Sequence, residues 1–560
     1  MALVHSKVSN QLAANTSFPF SPPHVRNSLR IIVIHILPQL GASALRSNTN
    51  RNDQNPKARA YEKRSLDRCR ALGLEDTISE WESGIESQTM NPIDISPEQF
   101  RRLSERILEI ATDYLKGMDT RGIPPEGRGS ELERNYRTPL PETGLGEEAC
   151  NDLADVALHS RAQNGRFFGY VLGSGEPAAA AADLLCSVLN QNVTAWRSAP
   201  AAVTIERTVV DWLAQAVACK NFYGVLTGGG SAANLMGLAM AREAKIPANE
   251  RGVRAGIALA VYASSEVHMS ITKAIALLGI GRDNLRLIPV DDSFRMDPEQ
   301  LETAMRRDKE HGITPLAVVA TAGTVNTGAI DPLPQIAGIA AKYGAWLHVD
   351  GAYGALGAIA VPQKFQGLAQ ADSITLDPHK WLYQPIDCGC LLYRDDGAAH
   401  RAFANSGDYV RTLTDDPIEG YAVFEESIEL SRRFRALKLW FSLRYHGFNS
   451  LQKSIEKDLS HALRLGNAIG RESELELLAP IELSAVCFQY VGNRSLTEVE
   501  LNRLNFDILR RVIERGHVYL SNATLKSRFC LRACIVNHRT TDSDIDSVPK
   551  EVLAAARDVM

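Results

Sequence analysis

The sequence predicts an α/β fold with a mostly parallel sheet covered on both faces, and two observations carry that prediction. Between about residues 205 and 395 lie seven short apolar runs: "FYGVLT", "GIALAVYAS", "LRLIPVD", "LAVVATAG", "AWLHVD", "DSITLD" and "CGCLLYRD". Near-continuous apolar strands of this kind are buried on both sides. Helix-like segments such as "SAANLMGLAMAREA", "SITKAIALLGI" and "LPQIAGIAAKYG" separate several of them, as crossovers between parallel strands do. Ligands of such sheets bind beyond the carboxyl ends of the strands.

The flanking regions follow from their own patterns. The first 52 positions contain no Asp or Glu but do contain Lys7, Arg26, Arg30, Arg46 and Arg51. That composition suits a transit peptide or a disordered tail, so residues 1–90 are set apart as a targeting or disordered segment. Ser96-Pro97-Glu98-Gln99 reads as a capping box with proline at the first helical position. Phe100, Leu103, Ile107, Ile110 and Tyr114 then recur at helical spacing, opening a helical segment that extends over 91–204. The α/β domain covers 205–430 and includes a polar, loop-like stretch at about 396–428, of the kind that covers active sites. "LSRRFRALKLWFSLRYHG" reads as a helix ended by Gly447. Beyond it, strand-like "SAVCFQYV" and "FCLRACIV" between helices make 431–560 a smaller α+β domain.

Composition excludes several function classes. Apolar residues make up 45% and charged residues 23% of the 560 positions, as in ordinary soluble proteins. The net charge of −5 and the lack of a Lys/Arg block argue against a nucleic-acid partner. The longest early apolar run, "IIVIHIL", is far too short to span a membrane. The nine cysteines are scattered without zinc-ligand spacing. They read as free thiols of a reducing compartment, with no metal site and a cytoplasmic location, organelle targeting by residues 1–50 being the alternative.

Four segments that follow strands carry chemistry. "LTGGGSAANL", Leu226–Leu235, joins a strand, a glycine turn and a helix start, which is a phosphate cradle. "SSEVHMSITKA" puts His268 at a second strand-to-helix junction. "AWLHVDGAYGA" puts Asp350 at the end of an apolar strand, with small Gly351 and Ala352 beside it. A carboxylate buried there needs a cationic partner. "SITLDPHKWL" places Lys380 thirty residues after Asp350. One cofactor suits all four: pyridoxal 5′-phosphate. Lysine forms its Schiff base, and a buried carboxylate keeps the ring nitrogen protonated. The alternative is a plain Lys380–Asp350 ion pair, which leaves the glycine cradle idle.

At these residues the chain resembles the group II pyridoxal-phosphate-dependent amino acid decarboxylases, most of all the aromatic L-amino acid branch. The blocks that carry the resemblance are "FFGYVLGSGEPAAAAADLL", "NQNVTAWRSAPAAVTIE", "LTGGGSAANL", "HVDGAYG", "DPHKWLYQPIDCGCLLYRD", "SRRFRALKLWFSLR" and "LRACIVNHRTTDSDID". The resemblance implies the type I aminotransferase-like fold, with a mostly parallel seven-stranded sheet. It also implies a homodimer, with active sites at the interface and an N-terminal helical arm packed on the partner. By motif, Lys380 becomes the Schiff-base lysine and Asp350 the partner of the ring nitrogen. His268 stacks on one ring face and helps place the substrate, and Ala352 packs on the other. Gly230 and Ser231 bind phosphate, Thr324 sits near the ring, and Asp377 and His379 flank the lysine. Relatives often carry Asn where this chain has Asp377.

Tyr170 and Thr194 fall in the implied substrate pocket. The implied reaction takes an aromatic or other hydrophobic L-amino acid to its amine and carbon dioxide. Tyr421, in "DDPIEGYAVFEESIELSRRF", is the candidate proton donor, although it lies farther from the Arg pair than the pattern asks. Relatives with Phe at that place resemble aldehyde synthases, so oxidative decarboxylation is the alternative activity. A catalytically idle cofactor-binding relative is a third.

Overall fold

The computed structural model describes residues 91, 93–125, 127, 129–253, 257–405, 415–492 and 496–560. The expected tail at 1–90 lies outside the described residues. The chain divides into two units, with the boundary between Arg101 and Arg102. In the first, the Ser96 hydroxyl accepts from the Gln99 amide at 3.2 Å and the Gln99 side chain accepts from the Ser96 amide at 2.8 Å. This reciprocal capping box starts the helix Pro97–Lys116.

All seven apolar runs of the central region are strands of one sheet. They are β1 (Tyr223–Thr227), β2 (Leu259–Ser264), β3 (Leu285–Ile288), β4 (Thr314–Thr321), β5 (Trp346–Asp350), β6 (Ser373–Leu376) and β7 (Gly389–Tyr393). Their order is β1-β7-β6-β5-β4-β2-β3. The pairs from β6 through β3 are parallel. β7 runs antiparallel to both β6 and β1, so β1 points with the parallel set. Val261, Val318, Val349, Ile374 and Leu391 are fully buried. Burying each such side chain stabilises the fold by about 1.5–3 kcal/mol. The register sets Thr321 opposite Asp350 and Asp350 opposite Thr375. The carboxyl ends of three neighbouring strands therefore lie level.

The helix Gly230–Lys245 crosses the sheet and packs on β4 to β7. Its close approach depends on Gly237, where a Cβ would lie 2.6 Å from the His348 ring. A second, antiparallel sheet has the order β10-β11-β9-β8, from β8 (Leu475–Leu477), β9 (Ala485–Tyr490), β10 (Ser521–Leu525) and β11 (Arg528–Cys534). Helices Phe448–Ile469, Glu498–Arg515 and Asp542–Val559 accompany it.

Two expectations need correction. The stretch at 396–428 is not one open loop: Asp396–Phe403 is a helix, and Val423–Glu426 is a 3₁₀ turn. Residues 406–414 lie outside the described residues. The helix expected from Leu430 begins only at Ala436, although it does end at Gly447. The cause is Arg432, whose buried guanidinium reaches the carbonyls of Val193 and Leu226 and the carboxylate of Glu206. Those bonds hold the backbone out of the helix.

Candidate active site

Five chain segments, each leaving the carboxyl end of a strand, meet around one cavity of about 270 Å³. After β1 come Gly228, Gly229, Gly230 and Ser231; after β2, His268; at β4, Thr321 and Gly323. β5 delivers Asp350, Ala352 and Tyr353, and β6 delivers Asp377, His379 and Lys380. Of the residues singled out in the sequence, Lys380, Asp350, His268, Ala352, Gly230, Ser231, Asp377 and His379 all line this cavity.

Lys380 sits in the short helical turn Pro378–Trp381. Its Nζ lies 2.9 Å from Asp377 Oδ2, so its ion pair is with Asp377 rather than with Asp350. The turn is anchored from behind. Trp381 Nε1 and the Tyr383 hydroxyl both donate to Asp458 Oδ2, at 3.0 and 2.7 Å. The Trp381 ring stacks on Tyr353 with centroids 5.5 Å apart. Burial raises the Asp458 carboxyl to about 7, against the pull of those two donors.

Asp350 is buried, and among the described residues no Lys or Arg pairs with it. Its Oδ1 accepts from the Ala352 amide at 3.2 Å and its Oδ2 from Asn234 Nδ2 at 2.9 Å. His268 caps the helix Met269–Leu277. Burial pushes its imidazole below the ordinary histidine range, although Asp350 pulls the other way. Burial likewise lowers His379.

The helix Gly230–Lys245 begins without a side-chain cap at Gly229. Its first amides and positive dipole end face the cavity, a setting that attracts an anion. A Cβ at Gly230 would lie 2.8 Å from Ala352 Cβ and 2.9 Å from Asp377 Oδ2. Gly230→Val should therefore weaken cofactor binding by about tenfold or more while the sheet stays folded, as read by titrating the apoprotein. Unchanged affinity would remove the cradle from the site.

The cavity fits pyridoxal phosphate. It offers a lysine amine, a buried carboxylate without a cation, an uncapped glycine-rich helix start and a neutral imidazole. Asp377 Oδ1 is also buried there without a hydrogen-bond partner.

Four other candidates do not line this cavity. Thr324 is fully buried and its hydroxyl pairs with Thr327 at 2.9 Å, while its neighbours Gly323 and Val325 face the cavity. Tyr170 is half exposed and its hydroxyl meets that of Tyr519 at 3.1 Å; the adjacent Val171 lines the cavity. The Thr194 carbonyl accepts from the Phe424 amide at 3.1 Å. Tyr421 lines a different cavity with Arg207 and His400, and its hydroxyl donates to Glu426 Oε2 at 2.9 Å. The Trp196 amide also donates to the Tyr421 carbonyl at 2.9 Å. Tyr421 is thus pinned by its backbone as well as its side chain.

Sequence reasoning passed over Asn234, Thr321, Tyr353 and Asp458. Asn234 had a signal: it stands one helical turn beyond Gly230 and Ser231, on the same face.

A strand-end cavity with these groups on a mostly parallel seven-stranded sheet defines a pyridoxal-phosphate enzyme. Residues 147–491 match the pyridoxal-dependent decarboxylase conserved domain, and the chain belongs to that family. An aromatic-L-amino-acid decarboxylase of Bacillus atrophaeus is 30% identical over 83% of this chain and 97% of its own length. A phenylacetaldehyde synthase of Petunia hybrida is 29% identical over 79% of this chain and 91% of its own. The crystal structure of an Oryza sativa enzyme, TDC, with pyridoxal phosphate and tryptamine superposes with a TM-score of 0.79 at 27% identity. It covers 84% of this chain and 100% of that one. The chain is accordingly a pyridoxal-phosphate-dependent amino acid decarboxylase.

Proposed function

We propose that the chain converts an aromatic or other hydrophobic L-amino acid to its amine and carbon dioxide. The observation that carries this reading is the convergence of Lys380, Asp350, His268 and the glycine cradle on one cavity. Pyridoxal phosphate, when bound there, supplies an aldehyde for an amine to condense with and a ring that withdraws electrons from the substrate α-carbon.

The chain's own residues do the rest. Lys380 would be the amine that holds the cofactor covalently. Asp350 would accept from the ring nitrogen and favour its protonated form. The amides at Gly230 and Ser231 would bind the phosphate. His268 and Ala352, both on the cavity wall, would hold the cofactor ring between them, and His268 would orient the substrate carboxylate. In this chain's own cavity the groups nearest to hand for returning a proton to the α-carbon are Lys380 and His268. Val171, Val325 and Tyr353 on the wall support a hydrophobic side chain in the substrate, as do the names of the relatives.

Oxidative decarboxylation to an aldehyde is the second reading, favoured by Tyr421's place outside the cavity and by the Petunia relative. Purified, cofactor-loaded protein incubated in air with a panel of L-amino acids separates the two. Amine with carbon dioxide supports the decarboxylase. Aldehyde with ammonia and hydrogen peroxide overturns it. Neither product leaves the catalytically idle relative. Tyr421→Phe is expected to leave the ratio of amine to aldehyde unchanged and to cost about 1–2 kcal/mol of stability, because Glu426 loses a buried donor. A shift toward aldehyde would mean that Tyr421 leaves Glu426 to serve a second active site.

A homodimer accords with this reading. The helix Pro97–Lys116 buries none of its residues, and its apolar Phe100 and Ile107 are exposed, so a second copy has a face to cover. Light scattering of the full chain tests it. The cysteines of the described residues are unpaired and buried, which supports a reducing, cytoplasmic location. No helix among those residues is long and apolar enough to cross a membrane.

A further inference from the structure

Behind the cavity, polar side chains thread the buried seam between β5, β6 and the helix Gly230–Lys245. Asn234, Ser270, His348, Ser373 and Thr375 are each almost wholly excluded from solvent. Polar groups placed there are costly unless every one is paired. They are paired, and the pairing has a direction.

Trp346 Nε1 can only donate, and it does so to Ser373 Oγ at 2.8 Å. His348 Nδ1 lies 2.8 Å from the same oxygen, and His348 Nε2 lies 2.9 Å from Asn234 Oδ1. The Thr375 hydroxyl donates to Asn234 Oδ1 at 2.6 Å. The two hydrogens of Asn234 Nδ2 then go to Asp350 Oδ2 and Ser270 Oγ, each at 2.9 Å. Ser270 Oγ lies 2.8 Å from His268 Nδ1, and the Ser270 amide donates to the same nitrogen at 3.3 Å.

The two ends of this chain agree. At one end stands a donor-only indole; at the other stands a carboxylate, which only accepts when ionised. Turning the Asn234 amide over would aim its carbonyl at the Asp350 carboxylate, acceptor against acceptor. It would also put its amino group where His348 offers a hydrogen. With Asn234 fixed, Ser270 accepts from it and spends its own hydrogen on His268 Nδ1. The neutral His268 ring must then carry its proton on Nε2.

We propose that Asn234 is a positioning residue that sets two walls of the cavity at once. It holds Asp350 as a hydrogen-bond acceptor and His268 as an Nε2–H donor, with its own orientation fixed by the Thr375 hydroxyl on its carbonyl and the Asp350 carboxylate on its amino group. This deepens the function proposed above and rests on it for the meaning of the two walls, but not for the proton positions.

Nitrogen chemical shifts of histidine-labelled apoprotein distinguish the two imidazole tautomers. His268→Gln and His348→Gln spectra assign the signals. In the unaltered protein both His268 and His348 should be Nε2–H, and an Nδ1–H form of either would overturn the proposal. Asn234→Asp reverses the relay. The new carboxylate accepts from Ser270, Ser270 accepts from His268 Nδ1, and the His268 proton moves to Nδ1. The same variant should bind pyridoxal phosphate about tenfold or more weakly, because Asp350 loses a buried donor and gains a like charge. His268 staying Nε2–H in Asn234→Asp would overturn the proposal. So would an unchanged cofactor affinity in a protein that binds the cofactor. If the unaltered protein binds no cofactor, the functional reading fails while the tautomer result still decides this one.

Discussion

Lys380→Ala should lose decarboxylation by about four orders of magnitude or more, because the covalent anchor and an acid–base group go together. A second readout does not depend on turnover. Borohydride reduction of the loaded protein should leave a pyridoxyl group on the peptide that carries Lys380, and no such adduct in the variant. The fold should survive. The Lys380 amine pairs with Asp377 at the cavity edge, and His379 Nε2 remains 3.6 Å from the same carboxylate oxygen. The Trp381 and Tyr383 bonds to Asp458 are untouched. An adduct elsewhere, or retained turnover, would remove Lys380 from its assigned role.

The largest effect on stability is expected from Glu206→Ala. Arg432 and Glu206 form a buried pair, with guanidinium and carboxylate 2.6 Å apart and side-chain exposures of 0% and 4%. The carboxylate also accepts from the Leu226 amide at 3.1 Å, and the guanidinium donates to the Leu226 carbonyl at 2.7 Å. Removing the carboxylate leaves a desolvated cation with the Val193 and Leu226 carbonyls and only the more distant Glu429 carboxylate, 3.9 Å from its Nε, which costs about 3–5 kcal/mol. Leu226 stands two residues before Gly228, so the loss should reach the cradle and weaken cofactor binding as well. Denaturant unfolding and cofactor titration measure the two effects. A cost below about 1 kcal/mol would mean that water enters and screens Arg432.

What could be read from the sequence followed the strands. β1 to β7 announced themselves because a two-sided burial leaves an unbroken apolar run. The residue just past such a run is drawn toward the sheet's carboxyl edge, and Asp350, Lys380 and the Gly228–Ser231 turn could be picked out on that ground. Asp458 left no such mark. It is 78 residues beyond Lys380 on a helix, and nothing in its neighbours tells of a tryptophan and a tyrosine waiting across the fold. Arg432 was equally silent. A guanidinium in a helix-like sequence looks like surface until the carbonyls it satisfies are known. Thr324 and Tyr170, placed by resemblance, stand one residue from positions that line the cavity. In irregular backbone no period says which of two neighbours points inward. Tyr421 was placed by resemblance alone, and the backbone bonds of Trp196 and Phe424 to that segment had no sequence signal at all.

The order of strands in the sheet bears on how the chain comes off the ribosome. β1, which leads into the cradle, pairs only with β7, with Thr227 opposite Gly389. The first strand of the sheet to be made must therefore wait for the last, through more than 160 residues of synthesis. Pairings of such long sequence separation form late, because the loop between them must close first. A nascent chain that has already displayed Asp350 and Lys380 still has no secured anion cradle. Cofactor capture is thus a report that the sheet has closed. A chain stalled before Gly389 would expose the apolar edge of β6 with nothing to cover it, a state for chaperones rather than for chemistry.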